Sequence, residues 1–366
     1  MKIAILHNAI TEGNNGSEKL VYLLAKEIKA RIYTSDYDSR VEGSYPGIEE
    51  LVEVDQIPHP DSFTRKDYEI MRSMTKRKDV DADFIIYSGN QTVFRVKKDI
   101  TPYLYFCHTP ERGFFDLHDD LMKKMKQWGY FNYLISKILF EKRRRMDIRL
   151  FKEHVDPKKV VTNSKMVMDR YERCYGKRPR ASVGAPIETS RYRWSEPEDY
   201  LLSAGGLRWN KRIDWLIRAV SETGDRLLIA GDGPERRRLE ELAKKKGANA
   251  DFLGRVDDKG LIDLYSRCRA FLFSARNEDF GMVPLEALAS GKPVVSVSEG
   301  GPMEYLDGKT AFFFKDVGSL VGILKGLDNN ELVSMKEKCI ERAKYFDTSE
   351  FSKRIMGHVS SIYKDN

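Results

Sequence analysis

The feature that most constrains this chain is an alternation that occurs twice. Short apolar runs end in polar loops and give way to helical patterns, first from Ile3 to Tyr175 and again from Tyr200 onward. In the first series Met1–His7 reads as a buried strand. It is followed by the loop His7 to Gly16 and a helix from Ser17, with Ser17 at the N-cap and Leu20, Leu23, Leu24 and Ile28 at helical spacing. Ile32–Thr34, Leu51–Val54, Asp83–Ser88, Tyr103–His108 and Val160–Ser164 read as further strands, and Lys165–Tyr175 as a helix. The second series sets strands at Tyr200–Ala204, Arg226–Ala230, Asp251–Leu253, Ala270–Phe273, Pro293–Val297 and Ala311–Phe314. Helical patterns at Ile213–Val220, Glu235–Lys246 and Asp258–Ser266 separate them. Strands that alternate with helices build parallel sheets with right-handed crossovers. The expected fold is therefore α/β, with two doubly wound, Rossmann-like parallel-sheet domains facing across a cleft. A length of 366 residues suits two such domains. The stretch Arg178–Tyr200 carries Pro179, Pro186 and Pro197 with little periodicity, and reads as the linker. In open α/β sheets ligands bind beyond the carboxyl ends of the strands, so the cleft is the expected site.

Composition narrows the class. Charged residues are 33% and hydrophobic residues 41%, the balance of a soluble globular protein. No apolar run reaches the roughly 18 residues of a membrane span. The N-terminus reads as a strand rather than a signal peptide. Cys107, Cys174, Cys268 and Cys339 are far apart without paired spacing, and read as free cytosolic thiols. The expected location is cytoplasmic. A net charge of +7 is modest for this length and does not favour nucleic acid. It suits an anionic membrane surface or a phosphorylated substrate.

The stretch Asn277–Gly291 carries most of the chemistry. Glu278 and Glu286 bracket a loop that turns into a short helix, with Pro284 expected at its first position and Gly291 at its C-terminal cap. The amides of Gly281, Met282 and Val283 are then expected at a helix N-terminus, which suits a phosphate. The flanking carboxylates suit neutral hydroxyls. A second feature is the segment Leu121–His154, expected to be one long helix with Trp128, Phe131, Ile135, Ile138 and Leu139 on one face. Lys123, Lys124, Lys126, Lys137, Lys142, Arg143, Arg144 and Arg145 cluster around it. Two readings stand: a core-packed helix with a solvated basic face, or a helix lying on an anionic membrane.

Four ordered blocks carry a family resemblance. They are Gly205-Gly206-Leu207 through Lys211-Arg212-Ile213-Asp214, then Gly231-Asp232-Gly233-Pro234, then Phe252-Leu253-Gly254-Arg255-Val256, then Glu278 through Glu286. Together the second half resembles the nucleotide-binding domain of retaining family 4 glycosyltransferases, which have the GT-B fold. In the first half, Asn15-Gly16-Ser17-Glu18-Lys19 resembles the family's Gly-Gly-x-Glu loop. Cys107-His108-Thr109-Pro110-Glu111-Arg112 with Asp116 resembles a motif of O-antigen-type mannosyltransferases, and Val161-Thr162-Asn163-Ser164 the usual Ala-Asn-Ser strand end.

The resemblance implies domains at 1–185 (acceptor) and 186–349 (nucleotide sugar), with a C-terminal helix at about 350–366 packing back on the first. It implies His108, Glu278 and Lys211 as catalytic residues, with Glu278 at the donor sugar and Lys211 on the diphosphate. Glu286 would hold the ribose. Gly16, Arg208, Gly231, Arg255, Val256, Phe280, Gly281, Met282 and Val283 complete the implied donor site, and His7, Arg112 and Asp116 the acceptor site. The family usually has an arginine where this chain has Gly206, and Arg208 or Arg212 is left to reach that phosphate. Asp36-Tyr37-Asp38 and Asp79-Val80-Asp81 read as loop acids, and no metal or cofactor is expected beyond the donor, since cationic side chains and amides meet the same need.

The implied reaction is front-side transfer of a hexose, with mannose from GDP-mannose favoured by the Cys-His-Thr-Pro motif. The acceptor is a glycan or a lipid-linked saccharide, the latter in keeping with a peripheral place on the inner face of the cell membrane. A sugar-nucleotide epimerase or a phosphorylase of the same fold, or a glycan-binding relic, are the rival readings. The chain lacks the phosphorylase's cofactor-lysine context, and a relic should have lost Glu278, Lys211 or His108.

Overall fold

The computed structural model describes residues 1–11, 16–54, 70, 72–73, 80–96, 100–126 and 129–365, without the side chains of 124, 130–132 and 135. It divides into two compact units, Met1–Gly184 with Phe351–Asn366, and Ala185–Glu350.

Among the described residues of the first unit, seven strands form one parallel sheet. They are β1 (Ile3–His7), β2 (Arg31–Thr34), β3 (Val52–Val54), β4 (Phe84–Ser88), β5 (Tyr103–Cys107), β6 (Val160–Thr162) and β7 (Ala181–Ser182). Their order in the sheet is β3-β2-β1-β4-β5-β6-β7. Alternate residues of each strand face the same layer. Ala4 and Leu6, Ile85 and Tyr87, and Tyr105 and Cys107 thus share one core with Phe151, Tyr171 and Tyr175 from the helices Tyr130–His154 and Lys165–Tyr175. The Phe151 and Tyr175 rings stack at 4.3 Å, and the Tyr175 hydroxyl donates to Asp147 Oδ2 at 2.8 Å. Burial under this layer pushes the Asp147 carboxyl up to about 7, although the Tyr175 hydrogen bond acts the other way.

Among the described residues of the second unit, six strands repeat the pattern: β8 (Leu201–Ala204), β9 (Leu227–Ala230), β10 (Ala250–Gly254), β11 (Phe271–Phe273), β12 (Val294–Val297) and β13 (Ala311–Phe314). The order is β10-β9-β8-β11-β12-β13, again all parallel. Val294–Val297 is buried along its whole length, as a strand covered on both faces must be. Leu201, Leu227, Ile229, Leu272, Val295 and Val297 pack against Leu216, Ile217, Val220, Leu320 and Leu324 from flanking helices.

The structure corrects several expectations. Ser17 is not an N-cap, because the helix Gly16–Ile28 already includes Gly16. The preceding loop with Asn15 lies outside the described residues, as do Trp128 and Asp79. The segment 121–154 holds two helices, His118–Lys126 and Tyr130–His154, the second entered through Gly129 at φ 113°. That backbone value favours glycine and is incompatible with a continuous helix. Ile138 and Leu139 do not face the core: they are 69% and 53% exposed. The inward stripe runs instead through Phe140, Asp147, Ile148 and Phe151, at helical spacing. The stretch 178–200 is more than a linker. Ala181 and Ser182 pair with β6, Ile187 is buried and bridges to Asp347, and Ser195 N–H donates to the Ser266 carbonyl. An extended strap held by such contacts carries no helical or strand period. Asp36 is buried after β2, and Asp38 accepts the Arg40 N–H at the start of a short 3-10 turn. No helix among the described residues is long and apolar enough to cross a membrane.

Candidate functional site

Chain order reverses between β8 and β11 in the second sheet, and between β1 and β4 in the first. Loops diverge at such a switch point and leave a crevice at the carboxyl edge. The loops after β8 and β11 carry Lys211 and Glu278. The Lys211 ammonium donates to Glu278 Oε2 at 2.6 Å, with both side chains partly open to solvent.

Backbone contacts fix that pair. Ser274 Oγ donates to the Lys211 carbonyl at 2.7 Å, and Arg276 N–H to the Asn210 carbonyl at 2.7 Å. The loop after β12 braces the other side, where Gly301 N–H donates to the Glu278 carbonyl at 2.7 Å. A Cβ on Gly301 would lie 2.2 Å from the Asp279 carbonyl oxygen, so only glycine admits this approach. Arg212 pairs with Glu299 Oε1 at 2.8 Å and lies over the Trp215 ring. Arg208 is exposed and makes no ion pair among the described residues. Its Nε lies 4.0 Å from where a Gly206 Cβ would stand. The space left by the missing arginine is thus bordered by the arginine two residues on.

The helix after Glu278 spans Met282–Ala289 and is capped by Gly281 at φ 80°. It starts two residues earlier than expected, which puts Pro284 third. Pro284 is tolerated because the first four helical N–H groups have no intrahelical acceptor. Met282 and Val283 carry such N–H groups and are half-buried. Ser290 is the C-cap, and Gly291 follows with φ 69°. Phe280 points into the unit against Tyr305 and Phe346, so only its backbone borders the loop. Glu286 is 5% exposed. Its Oε2 accepts the Tyr265 hydroxyl at 3.0 Å, and Tyr192 also hydrogen-bonds it. Burial and this carboxylate hold both tyrosines well above the ordinary phenol range. Gly231, at φ 135°, ends β9 and donates its N–H to the Gly254 carbonyl, while its missing Cβ leaves room for Gly205. Arg255 and Val256 follow β10, Arg255 exposed and Val256 half-buried.

In the first unit His7 and His108 meet through a serine that sequence reasoning missed. Ser88 Oγ lies 2.7 Å from His108 Nε2 and 3.1 Å from His7 Nδ1. Its register partner across β1 and β4 is His7, a pairing that only the strand alignment reveals. Burial lowers His7 to about 4, against the opposing effect of the hydrogen bond that its Nδ1–H donates to the Ser88 carbonyl. Burial, then the neighbouring His7, lowers His108 to about 3. Both rings are neutral at pH 7. Arg112 and Asp116 pair with each other at 2.8 Å. Arg170, buried on the helix Lys165–Tyr175, reaches Asp116 at 3.5 Å and donates to Thr109 Oγ1 at 2.6 Å. That ion cluster ties down the loop after His108. Gly16 is exposed at the first turn of its helix.

The residues 186–345 match the family model described as glycosyl transferases group 1. A UDP-N-acetylglucosamine–peptide N-acetylglucosaminyltransferase GtfA subunit of Streptococcus agalactiae is 30% identical over 145 residues, 37% of this chain and 28% of that protein. A GDP-mannose-dependent alpha-mannosyltransferase of Mycobacterium tuberculosis is 34% identical over 128 residues, 35% of this chain and 33% of that protein. The chain thus spans about a third or less of these relatives. Over its whole length it resembles Anabaena HepE, solved in complex with UDP-glucose, with a TM-score of 0.75, 17% identity and coverage of 99% of this chain and 100% of that one. The fold of the chain is GT-B, two Rossmann-like parallel-sheet domains, and it is the second of them that matches the glycosyl transferases group 1 model, over residues 186–345.

Proposed function

We propose that the protein is a retaining glycosyltransferase that moves a hexose from a nucleotide diphosphate sugar to a glycan or lipid-linked acceptor. The observation that carries this reading is the Lys211–Glu278 pair at the switch point of the second sheet, beside the N-terminus of the helix Met282–Ala289. A cation and open amides suit a diphosphate, and the carboxylate suits sugar hydroxyls. Donor binding would exchange the Lys211–Glu278 contact for one contact each to phosphate and sugar. Arg208 is the better candidate for the second phosphate cation, since Arg212 is engaged by Glu299. Glu286, held in place by Tyr265 and Tyr192, is the carboxylate proposed for the ribose hydroxyls.

In the proposed reaction the acceptor oxygen bonds to the anomeric carbon on the face from which the diphosphate departs. The carbon–phosphate oxygen bond breaks, and the leaving phosphate takes the acceptor's proton. The protein supplies positioning and charge stabilisation. Mannose from GDP-mannose is the favoured donor. It has support from the Cys-His-Thr-Pro motif and from the mannosyltransferase among the relatives, whereas the names of other similar proteins carry UDP-N-acetylglucosamine or UDP-glucose. The proposed place of work is the cytoplasmic face of a membrane.

The test is a thermal-shift panel of GDP, UDP, ADP and dTDP, each alone and as its sugar conjugate. A ligand at 100 times its dissociation constant stabilises by roughly 2.7 kcal/mol. A shift with the guanine ligands alone is expected. A shift confined to another base would overturn the GDP-mannose reading, and no shift with any would overturn the donor site.

A further inference from the structure

The three side chains at the carboxyl edge of the first sheet determine where His108 carries its proton. Ser88 is 1% exposed and sits opposite His7 in the β1–β4 register. His7 Nδ1 lies 3.1 Å from two oxygens of Ser88, the backbone carbonyl and Oγ. A carbonyl oxygen only accepts. His7 Nδ1 must therefore carry hydrogen, because an unprotonated nitrogen would set its lone pair against the carbonyl lone pairs in a buried place. With His7 Nδ1–H donating, Ser88 Oγ accepts from that side. The single hydroxyl hydrogen is then left for the other neighbour, His108 Nε2, at 2.7 Å. His108 Nε2 accepts it and is unprotonated. A neutral imidazole has one N–H, so that of His108 is on Nδ1. Nδ1 has no hydrogen-bond partner among the described residues, and His108 is only partly buried.

We infer that Ser88 is a positioning residue which, oriented by His7, holds His108 as the neutral Nδ1–H tautomer. His108 then acts toward substrate as a hydrogen-bond donor and not as a base. Nε2, the nitrogen able to take a proton, is occupied by Ser88 Oγ, and the nitrogen left to meet a ligand presents N–H. That N–H suits an acceptor oxygen, such as a substrate hydroxyl. This part of the inference rests on the proposed function; the tautomer itself does not. It agrees with a transfer in which the leaving phosphate, not a side chain, removes the acceptor's proton.

Long-range ¹H–¹⁵N correlation on the full chain labelled at histidine nitrogen tests the tautomer at neutral pH, with the signals of His108 assigned by their loss in His108→Asn. The expected spectrum shows Nδ1 protonated and Nε2 unprotonated. A proton on Nε2 overturns the inference. Ser88→Ala should move His108 to a mixture or to the Nε2–H form while Ser88→Thr, which keeps the hydroxyl, preserves Nδ1–H; an unchanged tautomer in Ser88→Ala overturns the role of Ser88. Turnover supplies a second readout. The amide nitrogen of Asn stands where Nδ1 stood, and that of Gln where Nε2 stood. His108→Asn should exceed His108→Gln in kcat by roughly tenfold or more, the scale of one lost hydrogen bond to a charged or developing-charge oxygen. Equal losses, with melting temperatures matched, would overturn the donor role. If no nucleotide sugar is consumed by the unaltered protein, the proposed function fails while the spectrum still decides the tautomer.

Discussion

At the scale of single residues, what each candidate side chain touches is set by the order of the strands and not by local spacing. Lys211 and Glu278 are 67 residues apart and form an ion pair. Nothing in local spacing shows that, because the contact depends on the switch-point topology. Ser88 was invisible for the same reason: a serine at the end of an apolar run looks like any strand end until β1 and β4 are placed in register. Arg208 and Arg212 could not be separated by sequence, since both lie near the departure at Gly206. The structure separates them by what each touches. Arg212 is engaged by Glu299 and the Trp215 ring, and Arg208 is not. Calorimetric titration with a nucleoside diphosphate should therefore show Arg208→Ala weakened by about 1.5–3 kcal/mol, the value of a charge-assisted hydrogen bond. Arg212→Ala should instead lower the melting temperature and leave affinity within a few-fold. The reverse ordering would reassign the second phosphate cation to Arg212.

At the scale of elements, the strands and most helices were legible because apolar runs and helical spacing are local. The boundaries were not. The helix expected from Pro284 begins at Met282, since a proline anywhere in the first turn costs no hydrogen bond and so does not mark the start. The helix expected over 121–154 is broken at Gly129 by a left-handed φ that composition does not show. Its second part, Tyr130–His154, has two unlike faces. The inner one meets the Tyr171–Tyr175 layer; the outer one exposes Leu134, Ile138, Leu139 and Met146 among Lys137, Lys142 and Arg145. Exposed cations on this face suit attraction to an anionic bilayer. Each basic residue near such a surface contributes about 1 kcal/mol. Replacing Lys137, Lys142 and Arg145 with Ala should then reduce sedimentation with phosphatidylserine vesicles on the order of 100-fold at equal thermal stability. Unchanged sedimentation would refute a membrane role for this face.

For the molecule as a whole, two successive strand–helix series foretold two parallel sheets, and both were found, the six strands of the second in the order of the first six of the other. That reading was robust because a parallel sheet requires crossovers and right-handed crossovers leave few topologies. The contacts that hold the stretch 178–200 were not legible, because an extended segment has neither period. The stretch Asn277–Gly291 is where the scales meet: a local motif, a capped helix and the switch point of a sheet put Glu278 beside Lys211. The claim that this place binds and activates a nucleotide sugar is tested most directly by single-turnover release of nucleotide from the matching donor with Glu278→Ala and Lys211→Ala. Both variants are expected to keep the fold and to fall at least about 100-fold in rate, on the scale of losing one group that stabilises developing charge. Release at the unaltered rate in Glu278→Ala would contradict the account.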